Sequence, residues 1–196
     1  MAILTEGFEN GDYTTSPVWT TGSGSFSVQD TIKHSGTYAL KYINAADNTL
    51  QTPIIGDAVN YSCYLYYAST GNCRYGISEN FICGETNGSW QYLSTGGWHS
   101  FGVGGGSTGT WYESQIIHTS GTTVADMAMR EDNGTLIASV AGVTMYGGAM
   151  VYKIYLQGKA SSGMYFDDVV YGAEDNIEYL DPDADDGTNE WSVVTG

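Results

Sequence analysis

The chain has few cationic residues: 6 Lys and Arg against 22 Asp and Glu, for a formal net charge of -16 over 196 residues. Such a balance repels phosphate backbones, so nucleic-acid partners are excluded. Runs of about 18 apolar residues are lacking, so no helical membrane span is expected. The opening MAILTEGFENGD has neither the basic region nor the apolar stretch of an export signal. Only three cysteines occur, Cys63, Cys73 and Cys83, without the CxxC spacing of a metal site. They read as small buried apolar residues, with a bridge open only if two of them face each other. His34, His99 and His118 are scattered, and Gly105-Gly106-Ser107-Thr108-Gly109, which spells Gly-x-Ser-x-Gly, lies in a glycine-rich loop that no helix follows and so makes no nucleophile elbow. The period-two Glu-x-Asp-x-x-Glu run of a sandwich glycosidase is missing as well. The chain is therefore read as a protein that is not an enzyme.

Glycine and tyrosine are abundant instead, 27 and 16 residues, while proline is down to 3. That is the composition of short strands joined by many turns, and no segment sustains a helical period. The stretch Gly109 to Val140 shows the pattern best. Trp111, Glu113, Gln115 and Ile117 alternate with Tyr112, Ser114, Ile116 and His118, the period of a strand with one buried face. A second strand over Val124 to Arg130 and a third over Leu136 to Val140 flank Asn133-Gly134, a pair suited to a tight hairpin. Val59 to Ala68 has aromatic residues on both faces and is expected at the centre of a sheet. Further strands are expected at Ile3 to Glu9, Thr37 to Ile43, Cys73 to Ile77, Phe81 to Cys83, Ser89 to Leu93, Trp98 to Val103, Met150 to Gln157 and Met164 to Gly172. Leu50 to Ile55 contains Pro53, which favours an edge position. Gly102 to Gly109 reads as a flexible linker, and Asn87-Gly88 as another hairpin turn.

The fold class is all-β. The opening Phe8-Glu9-Asn10-Gly11-Asp12 and the later Ser35-Gly36-Thr37-Tyr38-Ala39-Leu40 resemble the first strands of carbohydrate-binding β-sandwiches. The meander from Gly109 and the closing Tyr165-Phe166-Asp167-Asp168-Val169-Val170 resemble concanavalin A-like and laminin-G-like jelly rolls. The resemblance implies a sandwich of two antiparallel sheets over residues 1–172. Residues 173–196 change composition and read as an acidic tail or docking segment. Within them, Leu180-Asp181-Pro182-Asp183-Ala184-Asp185-Asp186-Gly187 followed by Trp191 resembles a segment of tailed-phage virion proteins.

Candidate site residues follow from exposure and chemistry. Trp98 and His99 beside glycine-rich loops, together with Trp111, are candidates for stacking a sugar ring, against the alternative that large aromatics simply fill the core. Asp167 and Asp168 are adjacent and should face opposite sides of their strand, one bonded to the backbone amides of a loop. No cofactor is required. Calcium is the one cation considered, on Asp181, Asp183 and Asp185, whose alternation falls short of an EF-hand because Asp186 and Ser192 stand at its glycine and glutamate places. The expected function is that of a capsid decoration or minor structural protein of a tailed phage. It would be located in the virion as a homo-oligomer, with the major capsid protein as partner. The alternative is a carbohydrate-binding module or phage adhesin recognising cell-surface glycans.

Overall fold

The computed structural model describes residues 4–14, 18–21, 26–43, 48–53, 60–68, 72–77, 81–86, 88–119, 121–146, 153–159 and 163–172. Strands are numbered in chain order. One sheet runs, in space, through β13 (Leu136–Thr144), β12 (Val124–Glu131), β11 (Trp111–His118), β6 (Asn60–Tyr67), β15 (Met164–Gly172), β4 (Ala39–Tyr42) and β3 (Phe26–Gln29). The eighth strand, β1 (Leu4–Glu6), pairs with the second half of β15, beyond the stretch taken by β4. The other sheet runs through β10 (Gly97–Gly104), β9 (Ser89–Ser94), β8 (Phe81–Thr86), β7 (Asn72–Ile77), β14 (Ile154–Lys159), β5 (Asn48–Gln51) and β2 (Thr20–Thr21). Neighbouring strands are antiparallel throughout. The result is a jelly-roll β-sandwich with no helix among the described residues.

Alternation builds the core. On β11, Tyr112, Ser114, Ile116 and His118 are buried while Trp111, Glu113, Gln115 and Ile117 are only partly so. On β6, Tyr61, Cys63, Leu65 and Tyr67 point inward. They meet Cys73, Tyr75, Ile77, Trp90, Leu50 and Leu156 of the other sheet in one apolar cluster. Each such Leu or Ile contributes about 1.5–3 kcal/mol by leaving water. Trp90, Tyr67 and Tyr112 form an edge-on aromatic group at its centre, with ring centroids 5.0 to 6.5 Å apart. Trp19 is buried beside Phe8. Aromatic filling of the core therefore holds for Trp19 and Trp90. Cys63 and Cys73 are buried, and burial pushes the Cys63 thiol well above its ordinary pKa.

Several boundaries differ from expectation. The first strand stops at Glu6 because Glu6 Oε1 accepts the Phe8 amide at 2.6 Å and Phe8 takes a φ of 59° to bury its ring. β5 is not an edge strand: it pairs with both β14 and β2, and Pro53 lies past its end. β10 continues through Gly104, three residues into the expected linker. β13 extends to Thr144, and β14 is shifted to Ile154–Lys159. The Asn133-Gly134 turn forms as expected, with Gly134 at φ 86° and its amide donating to the Glu131 carbonyl. The expected acidic segment 173–196, with Asp181, Asp183 and Asp185, lies outside the described residues.

Candidate functional site

The solvent side of the eight-stranded sheet carries a row of directly opposed residues: Trp111 on β11, Tyr66 on β6, Tyr165 on β15 and Lys41 on β4. Tyr66 lies 5.2 Å from Trp111 and 5.5 Å from Tyr165, measured between ring centroids, and the Lys41 ammonium sits 5.6 Å over Tyr165. The period of two sets this geometry, because inward positions on the same strands are already filled by Tyr112, Leu65, Tyr67 and Phe166. Trp111 and Tyr66 are partly exposed on this face, whereas Tyr165, 5% exposed, lies buried between Tyr66 and Lys41.

The loop after β3 walls the row. His34 stacks on Tyr64 with centroids 3.6 Å apart and planes 15° from parallel, and presents its edge to Trp111 at 5.6 Å. Its Nδ1 lies 2.6 Å from Asp168 and its Nε2 2.6 Å from Asp132. Burial opposes a charge on this ring, but the hydrogen bonds and charges of Asp168 and Asp132 prevail and raise its pKa above the ordinary 6.5. Burial likewise pushes the Tyr64 phenol up to about 12, with the charges of Glu113, Asp132 and Asp168 adding to it.

Carboxylates hold that loop in place. Asp167, with no exposed surface, accepts the amides of His34 at 2.8 Å and Ser35 at 3.3 Å. Glu9 accepts those of Thr37 and Tyr38 at 2.9 to 3.1 Å. Gly36 suits this place because its φ of 57° lies in the left-handed region, and a Cβ there would also displace the Glu9 carboxylate. The Phe-Glu and Ser-Gly-x-Tyr motifs are thus two halves of one latch. Asp167 has the amide-binding role expected for one of the pair, but Asp168 does not turn away from it. The β15 register shifts against β6 between Asp167 and Val170, and Asp168 adopts φ 44°. This bulge aims Asp168 at the same loop, where it accepts the Ser35 hydroxyl at 2.8 Å.

A groove of about 210 Å³ opens on the same face toward the sheet edge, over β11, β12 and β13. Register explains it: Gln115 faces Ala128, which faces Ser139, so small side chains leave a depression between Ile117, Leu136, Asp126 and Arg130. Gln115 Oε1 is buried there without a hydrogen-bond partner. Asp126 accepts the Gly142 amide at 2.7 Å, and Arg130 donates to the Gly134 carbonyl at 3.2 Å. Neither the row nor the groove is evident from sequence, because both depend on which strands pair.

The three sugar-stacking candidates do not converge. Trp98, 37% exposed, lies on β10 in the seven-stranded sheet, with the Arg74 guanidinium 4.4 Å over its ring. Arg74 in turn donates to Gln157 at 2.9 Å. His99 is the next residue of the strand and points the opposite way, stacking on Tyr92 at 5.4 Å on the side of Phe101. Trp111 belongs to the other sheet. The corrected arrangement is two separate tryptophans, of which Trp111 has the aromatic neighbours. Among the described residues, no group of three or more His, Cys, Asp or Glu is arranged to hold a metal ion.

No protein-family model and no curated protein sequence matches the chain. Among solved structures it is similar to a sialidase, at a TM-score of 0.65 and 10% identity over 89% of this chain. The chain spans 19% of that sialidase's length. It is similar to the carbohydrate binding module CBM66 from Bacillus subtilis, at 0.51 and 10% over 77% of this chain and 92% of the module. Peanut lectin gives 0.52 and 11% over 87% of this chain and 97% of the lectin. At these identities the likeness is one of fold: the chain has the jelly-roll sandwich found in carbohydrate-binding modules and lectins.

Proposed function

We propose that this domain is a non-catalytic carbohydrate-binding module and that its glycan lies on the outer face of the eight-stranded sheet. The observation that carries the reading is the pair Trp111 and Tyr66, partly exposed rings on adjacent strands at outward positions, backed by the buried ring of Tyr165. Sugars present apolar C–H faces that stack on such rings, and polar groups at the margins fix their hydroxyls. Glu113, Arg130, Lys41 and His34 are placed around the row to do that. The fold shared with a carbohydrate binding module and a lectin supports the same reading.

Binding without turnover is supported by the partners of the nearby acids. Asp132, Asp167 and Asp168 hold His34 and Ser35, and Glu113 faces Arg130. The virion setting draws its support from the segment Leu180 to Trp191, outside the described residues. Glycan binding is therefore favoured over capsid decoration, and is compatible with an adhesin that belongs to a particle. A glycan array at micromolar protein tests it. Saturable binding to a defined glycan, lost in Trp111→Ala, is expected. A blank array, or binding indifferent to Trp111, would overturn it.

A further inference from the structure

We infer that the groove over β11, β12 and β13 is a pocket for the terminal sugar of the glycan, and that this sugar is a neutral hexose-type ring. The inference rests on the carbohydrate reading of this face. Four features support it together. The groove has a volume of about 210 Å³, within reach of a single sugar ring and too small for a folded partner. Its walls include Ile117, Leu136 and the floor residue Ala128, an apolar surface for the C–H side of a ring. Its polar groups are of complementary kinds, with Gln115 and Asp126 accepting, Arg130 donating and Ser139 doing either. Finally, Gln115 lines the groove with its Oε1 buried and its hydrogen bond unmade, an acceptor that a small turn of the side chain would offer to a ligand hydroxyl.

Charge selects the class of sugar. Asp126 and Arg130 stand at opposite ends of the groove, two residues either side of Ala128 on one face of β12, and offset each other. An anionic sugar would meet Asp126 within a chain of net charge -16. A neutral ring uses the carboxylate and the guanidinium together through its hydroxyls. Direction follows as well. Gln115 is four residues beyond Trp111 on the same face of β11, about 13 Å along a strand. Units that follow the terminal sugar would run over Glu113 and Arg130 to the Trp111 and Tyr66 rings.

Titration of methyl glucoside, methyl galactoside and methyl mannoside, followed by ligand-observed NMR, tests the pocket separately from the aromatic row. At least one of these should bind saturably, and the methyl glycoside of a uronic acid should bind more weakly. Gln115→Leu, similar in size but without the acceptor, should weaken that binding about tenfold. Asp126→Asn, which keeps an oxygen for the Gly142 amide, should weaken it to a similar degree. Trp111→Ala should weaken longer oligosaccharides far more than methyl glycosides, and Trp98→Ala, on the other sheet, should leave both unchanged. If oligosaccharides bind through Trp111 but no methyl glycoside binds, or both groove variants bind normally, the pocket is refuted and the aromatic reading survives. If nothing binds at all, both fail.

Discussion

His34 Nε2 meets Asp132 Oδ1 at 2.6 Å, joining the loop after β3 to the hairpin between β12 and β13 across 98 chain positions. The contact is strong only while the imidazole is charged. A raised pKa in the fold means stabilisation that is complete below the unfolded value near 6.5 and is lost as pH rises through the folded value. Thermal stability should therefore fall from pH 6 toward pH 9. His34→Gln should cost about 1–2 kcal/mol at pH 6 and flatten that slope. An unaltered slope in the variant would rule out the charged clamp.

Asp167 contributes a different term. Burial pushes its carboxyl up to about 6, against the pull of the amides it accepts, so the fold tolerates its protonated form better than the unfolded chain does. Its share of stability is present at low pH and declines between about 4 and 6. Removing the side chain outright orphans the amides of His34, Ser35 and Asp168. Asp167→Ala should lower the urea midpoint by the equivalent of about 3 kcal/mol with the slope of the transition kept.

Gly158 lies on β14 with Tyr42 of the facing sheet directly above it, and a Cβ there would run into the ring. Gly158→Ala should cost about 1–3 kcal/mol by overpacking. Gly104, where an added Cβ meets nothing within 4 Å, is the matched control. Equal effects in chemical denaturation would show that chain entropy and not the ring decides.

The two outward tryptophans should separate in binding. Trp111→Ala removes one end of the aromatic row and should weaken glycan binding about tenfold or more. Trp98→Ala should leave it unchanged, its cost falling on the Arg74 and Gln157 contacts instead. The reverse result by calorimetry would move the site to the other sheet.

The alternation of Trp111 to His118 and of Asn60 to Tyr67 was readable from sequence because a period of two sorts core from solvent within one strand. The same rule already separates Trp98 from His99. Strand order was not readable that way. Trp111, Tyr66 and Tyr165 become neighbours only through pairings that span the chain, and nothing local to His34 marks Asp132 as its partner. The bulge at Asp168 also escaped, since a positive φ at an aspartate leaves no periodic trace. The groove depends on Ala128 and Ser139 being small where register sets them beside Gln115, and neither residue is unusual in its own strand.

β15 is inserted between β6 and the pair β4 and β1, and β14 between β7 and β5. Each layer is therefore zipped shut by a segment translated after almost all of its neighbours. While the ribosome is still making residues 121–153, both layers stand open along a seam, with Leu65, Leu40 and Tyr75 among the side chains awaiting cover. Nascent chains should stay protease-sensitive until Gly172 has cleared the exit tunnel, and a stop codon anywhere before β15 should yield aggregate rather than a smaller soluble product.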